Sequence, residues 1–262
     1  MAKTFDMDNI FDTHSHYDDE AFEQDRSSVL SSLPSKGVRA VINCGVDLDS
    51  GSASLSLAGD YPFIYAACGI HPHECAEYGG SPADILKDFL PLWQDDRCVA
   101  IGEIGLDYHY DFSPRPLQKS FFEEQVRLSV ELGLPVVVHD REAHEDTLNI
   151  LKKYKPAGVM HCFSGSVELA EEILKLGMYI GLGGAVTFKN ARKPLEVAAF
   201  AAEDRLLLET DCPYMAPVPF RGKRNDSSLI PYAAEVIAAV RGCSAQRILD
   251  ITAANAAKLF SV

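Results

Sequence analysis

The sequence predicts an α/β chain folded as a (β/α)8 TIM-type barrel, with a metal site at the C-terminal ends of its strands. Three observations point there. Eight short apolar or β-branched segments recur along the 262 residues, each followed by a stretch of helical periodicity. The length suits a barrel of this kind, which typically needs about 250 residues in one domain. Histidines and carboxylates sit where the apolar segments end.

The eight segments are IFDTHSH, VRAVINC, FIYAACGIH, CVAIGEI, LPVVVHD, GVMHCF, MYIGLGG and RLLLETD. Strands this apolar, separated by helices, imply a parallel sheet whose outer face is covered, and eight βα units can close into a barrel. An open doubly wound sheet is the competing arrangement. Among the helices, residues 116–133 carry apolar positions at spacings of three and four. Residues 142–154 open acidic and end basic, matching the helix dipole. The proline-rich stretch 213–231 reads as a long loop. The last segment, 244–260, reads as a helix packed back on the barrel or its rim.

No linker or low-complexity stretch divides the chain, so residues 1–262 are expected to form a single barrel domain. The 24 Lys and Arg stand against 38 Asp and Glu, and a formal charge of -14 excludes a broad basic groove while leaving room for a local cationic rim. No stretch approaches the roughly 20 apolar residues of a membrane span, and the N-terminus lacks the apolar core of a signal peptide. Seven cysteines without a CxxC pair fit a reducing compartment, so the expected location is cytoplasmic. A monomer fits these data.

The metal-type residues carry the chemistry. His14 and His16 are two apart, so in a strand both face one side and can grip one ion. Glu103 follows CVAIG, and its two oxygens suffice to bridge two cations. His139 and His161 end VVVH and GVMH and offer nitrogen ligands; Asp211 ends LLLETD and suits either ligation or proton transfer. A lone histidine at a strand end also reads as a polar cap. Four histidines and two carboxylates on one rim favour a metal, because such groups are costly to bury without a partner. GxSxG, GxxxxGK and dinucleotide fingerprints are absent, which excludes serine hydrolase, NTPase and dehydrogenase readings.

The segments FDTHSH, GIHPHE, AIGEIGLDYHYDFSPRPLQKSFFEEQ, LPVVVHDREAHEDTL, VMHCFSGS and LLLETDCPYMAPVPFRGKRN, running from residue 11 to 225, together resemble the TatD family of metal-dependent deoxyribonucleases within the amidohydrolase superfamily. The resemblance implies two divalent ions, one among His14, His16, Glu103 and Asp211 and the other among Glu103, His139 and His161. Magnesium or manganese is expected to support activity, and zinc or another transition metal to occupy the isolated protein, since imidazole suits the latter better. It also implies hydrolysis of DNA phosphodiesters from 3′ ends, with single strands or frayed ends as substrate. One departure follows RGKRN, where the family commonly has an acidic residue and then proline; here Ser227 and Ser228 follow Asp226.

In this reading Asp211 and Glu103 are the catalytic carboxylates, with Asp211 as general base. His71 and His73, in GIHPHE, are candidate phosphate donors or strand caps. Arg221, Lys223 and Arg224 form a basic cluster suited to a nucleic-acid backbone, or a solvated turn. Tyr108, Phe112 and Tyr214 are candidates for stacking on a terminal base, or packing residues. Glu209 is expected to steady a ligand histidine or to pair with a basic residue; Cys162 and Cys212 are expected to be core thiols. The rival functions are an amidohydrolase or small phosphoesterase on the same barrel, and, more remotely, a noncatalytic scaffold, whose expected sign of a broken ligand set is absent.

Overall fold

A computed structural model describes residues 7–262 of the chain. Its strands are β1 (Ile10–Ser15), β2 (Val38–Cys44), β3 (Ile64–Ala67), β4 (Cys98–Asp107), β5 (Val136–Arg141), β6 (Gly158–Met160), β7 (Tyr179–Leu182) and β8 (Leu206–Leu208). They form one sheet in sequence order, β1 to β8. Ten α-helices intervene or follow: α1 (Arg26–Ser32), α2 (Leu48–Asp60), α3 (Pro82–Ile85), α4 (Leu90–Trp93), α5 (Arg115–Leu132), α6 (His144–Tyr154), α7 (Val167–Lys175), α8 (Arg192–Phe200), α9 (Ile230–Arg241) and α10 (Ala245–Phe260). Parallel strands alternating with helices in this order are the (β/α)8 architecture that the sequence predicts.

The chain gathers into two compact units. The first contains the described residues up to Asn43, with Cys162–Glu171 and Ile180–Val262. Within it the two ends of the sheet meet: Ser15 forms a parallel bridge to Cys212, the His16 N–H donates to the Cys212 carbonyl at 2.8 Å, and the Asp211 N–H donates to the His14 carbonyl at 2.9 Å. Ser244 caps α10 by accepting from the Arg247 N–H. The helix then lays its apolar face on β1 and β8, with Phe260 meeting Phe11 at 6.5 Å between ring centroids. The stretch predicted as a loop to residue 231 ends earlier. A short 3-10 turn, Ser227–Leu229, leads into α9, and Pro231 occupies its first turn, where a missing N–H costs nothing.

The second unit contains Cys44–His161 and Glu172–Tyr179. All ten residues of β4 are buried, as expected of a strand covered on both faces. β4 pairs with β5 in parallel, setting Gly105 opposite His139 and Asp107 opposite Arg141. Gly105 has φ +145°, and a Cβ there would lie 1.9 Å from the His139 carbonyl oxygen, so only glycine lets β4 pass its neighbour at that height. α5 begins just after Pro114 and ends at Gly133 in the left-handed conformation. It packs on β4, and the buried Gln125 side chain accepts from the Ile70 N–H at 2.7 Å and donates to the Ile70 carbonyl at 3.1 Å. That pair of bonds holds the strand-like segment leading to His71 where β3 has already ended.

The seven cysteines, all among the described residues, are thiols outside any disulfide. Cys212 is fully buried, and burial pushes its thiol well above the usual range. Cys162 is only half-buried, with φ +43°, because β6 stops at Met160 and the chain turns away from the core. Among the described residues, no helix is long and apolar enough to cross a membrane.

Candidate metal centre

The first unit carries one cluster. His14, on β1, is fully buried, and His16 lies just past the strand end. Their Nε2 atoms are 3.0 Å apart, a spacing that a shared proton or a shared cation satisfies. The Asp211 Oδ1 lies 3.7 Å from His14 Nε2 and 3.6 Å from His16 Nε2. Asp211 follows β8 with φ +59°, a left-handed conformation that aspartate tolerates better than most residues. The backbone is held there by the bond to the His14 carbonyl.

Beneath this cluster lies a carboxylate that reading the sequence missed. Asp12 is fully buried and accepts from the N–H groups of His14 (3.3 Å) and Thr210 (2.9 Å) and from the hydroxyls of Thr210 (2.5 Å) and Ser227 (2.7 Å). Burial raises its pKa to about 6, against the pull of those four hydrogen bonds. Ser227, the residue at which the chain departs from its family pattern, is thereby bound into the floor. Its N–H also donates to the Tyr17 hydroxyl at 2.9 Å. Asp226 starts the 3-10 turn, accepting from the Ser228 N–H at 2.8 Å. Glu209 accepts from the Cys162 N–H and so steadies backbone, the role that neither reading of its side chain anticipated.

The second unit carries the other cluster, centred on Glu103, which is 4% exposed. Its Oε1 lies 2.8 Å from His161 Nε2, 3.1 Å from His139 Nδ1 and 3.5 Å from His71 Nε2. His71, expected at the phosphate, thus joins the ligand-type atoms. Burial, opposed by Glu103, lowers its pKa to about 4 and keeps the ring neutral.

His139 is held from its other edge. Its Nε2 is 3.0 Å from Asp107 Oδ2, and the same oxygen lies 3.0 Å from His73 Nε2. Asp107, also missed by sequence reading, is fully buried. Its Oδ1 accepts from the N–H groups of His109 (3.0 Å) and Tyr110 (2.8 Å), and Gln118 brackets its backbone, accepting from the N–H and donating to the carbonyl. Burial alone would raise its pKa; hydrogen bonds from His139, the Tyr110 N–H and His73 reverse that and hold it far below the ordinary range. Burial opposes protonation of His139 too, yet Asp107 and Glu103 together lift its pKa to about 9.

In each unit, then, three ligand-type atoms lie within 4.8 Å of one another: His14, His16 and Asp211 in one, His71, Glu103 and His139 in the other. Imidazole nitrogens with a carboxylate oxygen are the donor set of a divalent transition metal.

The predicted substrate contacts fare unevenly. Arg224 donates to Asp25 in two bonds of 2.8 and 2.7 Å and to the Ala21 carbonyl, so a phosphate at this position would compete with a surface ion pair. Arg221 lies over the Phe188 ring at 3.7 Å, and Lys223 is exposed. Tyr108 donates to Asp146 at 2.7 Å, and the Arg115 guanidinium lies over its ring at 4.3 Å. Phe112 is 66% exposed and Tyr214 56%, the latter donating its hydroxyl to Asp19. His73 points to Asp107 from beside the Tyr110 and Phe112 rings.

A sheet of eight βα units with clusters of histidine and carboxylate at and just past its strand ends defines a metal-dependent hydrolase. Residues 11–261 match the family model described as TatD related DNase, and the chain belongs to that family. It is 41% identical over 256 residues to YabD of Bacillus subtilis, named an uncharacterized metal-dependent hydrolase, covering 97% of this chain and 99% of that one. It is 34% identical over 262 residues to the 3′-5′ ssDNA/RNA exonuclease TatD of Erwinia tasmaniensis, covering 97% and 100%. Among solved structures, the TatD homologue YJJV of Escherichia coli K12 superposes with a TM-score of 0.90 at 31% identity, covering 97% of this chain and 98% of that one.

Proposed function

We propose that this hydrolase cuts nucleic-acid phosphodiesters, shortening single DNA strands or frayed duplex ends from the 3′ side. His14, His16 and Asp211 hold one divalent ion in this reading, and Glu103, His139 and His161 hold another. The observation that carries it is the pair of imidazole–carboxylate clusters, a donor set for two cations rather than one. Cations bound in such sets lower the pKa of water and neutralise phosphate charge, with magnesium or manganese as the ions of turnover and zinc or a similar metal as isolated.

The chain's own residues supply the rest. Asp211, about a fifth exposed, is the carboxylate open enough to take a proton from attacking water and pass it to solvent. His71, buried with its Nε2 3.5 Å from Glu103, is in this reading either a further ligand of that ion or a donor to the phosphate that displaces this contact. A net charge of -14 repels duplex wrapping and admits a strand end at a local cation, which agrees with an exonuclease. The name of the Erwinia relative supports the same polarity and substrate. Seven free cysteines suit a cytoplasmic location.

The test is cleavage of 3′-labelled and 5′-labelled oligonucleotides with Mg2+ or Mn2+, beside Glu103→Ala and Asp211→Ala. Stepwise shortening from the 3′ end by the wild type, lost in both variants, supports the reading. Intact DNA with metal-loaded wild type sinks it, and amides and small phosphoesters become the substrates to screen.

A further inference from the structure

The loop that follows β4 exposes two aromatic rings which packing does not explain. Phe112 is 66% exposed and Tyr110 48%, and their rings stack at 5.4 Å between centroids and 24° between planes. His73 sets its edge against both, 4.8 Å from Phe112 and 5.6 Å from Tyr110. The same imidazole shares Asp107 Oδ2 with His139. Two side chains, His73 and Asp107, therefore separate the exposed rings from a proposed metal ligand.

The loop is fixed rather than loose. Asp107 Oδ1 accepts from the N–H groups of His109 and Tyr110 at 3.0 and 2.8 Å. Ser113 accepts from the Ala76 N–H at 2.9 Å and donates to the His73 carbonyl at 2.9 Å, and Gln118 donates to the Ser113 carbonyl at 2.8 Å. Phe112 is thus clamped between anchored neighbours, and a ligand meeting it loses little further conformational freedom in the protein.

Charge narrows what the rings receive. The Arg141 guanidinium lies 4.8 Å from the centre of the Tyr110 ring. Arg115, which follows the same loop, is committed to Asp111; Arg141 forms no ion pair among the described residues. An exposed flat apolar surface beside an uncommitted cation fits a molecule that carries an aromatic face and a phosphate together. Neither an amide nor a simple phosphoester offers both.

We propose that Tyr110 and Phe112, backed by His73, form a base-stacking subsite for an unpaired nucleotide near the strand end, with Arg141 meeting its backbone phosphate. This rests on the phosphodiesterase reading and deepens it, because stacking on an exposed ring requires a base free of its partner strand. Preference for single strands or frayed ends follows from these residues and not from the metal ligands.

The test compares short Mn2+-supported substrates that carry a single abasic nucleotide at the last, second or third position from the 3′ end with the fully based strand. The expected result is a fall in kcat/KM of about tenfold when the base at one position is removed, in line with stacking on one aromatic surface. Phe112→Ala and Tyr110→Ala should shrink that ratio towards one, while Phe112→Trp keeps it. A purely structural loss would lower rates on based and abasic strands alike and leave the ratio standing, which overturns the subsite. Equal wild-type rates on based and abasic strands overturn it as well. Wild-type protein that cuts no strand at all defeats the phosphodiesterase reading, and the subsite falls with it; that outcome is distinct because it appears before any variant is compared.

Discussion

The two clusters are built by different means. His14, His16 and Asp211 are set by backbone: a period-two strand, a left-handed residue after β8, and main-chain bonds between the two segments. The carboxylate below them, Asp12, grips N–H groups and hydroxyls and touches no ring nitrogen of the cluster. In the other cluster His139 depends on a side chain. There a buried carboxylate, Asp107, takes one nitrogen of His139 and leaves Nδ1 for Glu103 and whatever lies beside it. A ligand held by backbone is as rigid as the fold, whereas a ligand held by a neighbouring carboxylate can be loosened without unfolding anything.

The sharpest way to break that comparison is to remove one histidine from each cluster. His14→Ala and His139→Ala should each cost about 10^3-fold in activity, since a Lewis-acid cation is worth several kcal/mol in the transition state. Elemental analysis of the purified variants should show each keeping the ion of the other cluster. A variant that folds normally and retains its full metal content would contradict the ligand assignment.

How much of this was legible follows the same division. The candidate ligands that strand periodicity and strand ends dictate could be read directly as a cluster: the HxH pair, the carboxylate after CVAIG, and the histidines closing VVVH and GVMH. The eight strands were legible for the same reason, although β6 and β8 shrink to three residues because His161 and Glu209–Asp211 leave the sheet to form the rim. Asp107 was not legible. Reading β4 only as far as Ile104 placed the aspartate in a loop, and its target depends on the register that sets Gly105 beside His139. Asp12 sits in the middle of FDTHSH, yet its partners lie about two hundred residues away at Thr210 and Ser227. The pairing of Arg224 with Asp25 was not legible either, because the two are 199 residues apart.

The supporting carboxylates give the next test. Asp107→Asn removes the charge that orients His139, and metal affinity measured by chelator competition should fall roughly 10- to 100-fold at one ion, with the other ion and the thermal midpoint little changed. Asp12→Ala should do the reverse. It leaves two buried N–H groups and two hydroxyls without their acceptor, so urea unfolding should register a loss of about 2–3 kcal/mol while metal affinity, measured below the unfolding transition, changes less. If the two variants behave alike, the distinction between backbone-set and carboxylate-set ligands fails.

The smallest effects concern cations near each cluster, and there the contrast reappears in electrostatics. Arg224, in the unit of the backbone-set cluster, is locked to Asp25 with both groups partly exposed, and burial is not what lowers the Asp25 carboxyl: the Arg224 hydrogen bonds do. Such an exposed, solvent-screened pair adds little to stability, and its positive charge is already neutralised, so Arg224→Gln should leave the salt dependence of KM for an oligonucleotide where it was. Arg141, in the unit of the carboxylate-set cluster, forms no ion pair among the described residues and lies over Tyr110. Its charge is available to a phosphate, and Arg141→Gln should lower the slope of log KM against log salt by about one, the signature of a single lost phosphate contact. Equal slopes in both variants would show that a guanidinium released from its carboxylate on binding serves as well as an uncommitted one, and the rim would then have to be described by total charge rather than by pairing.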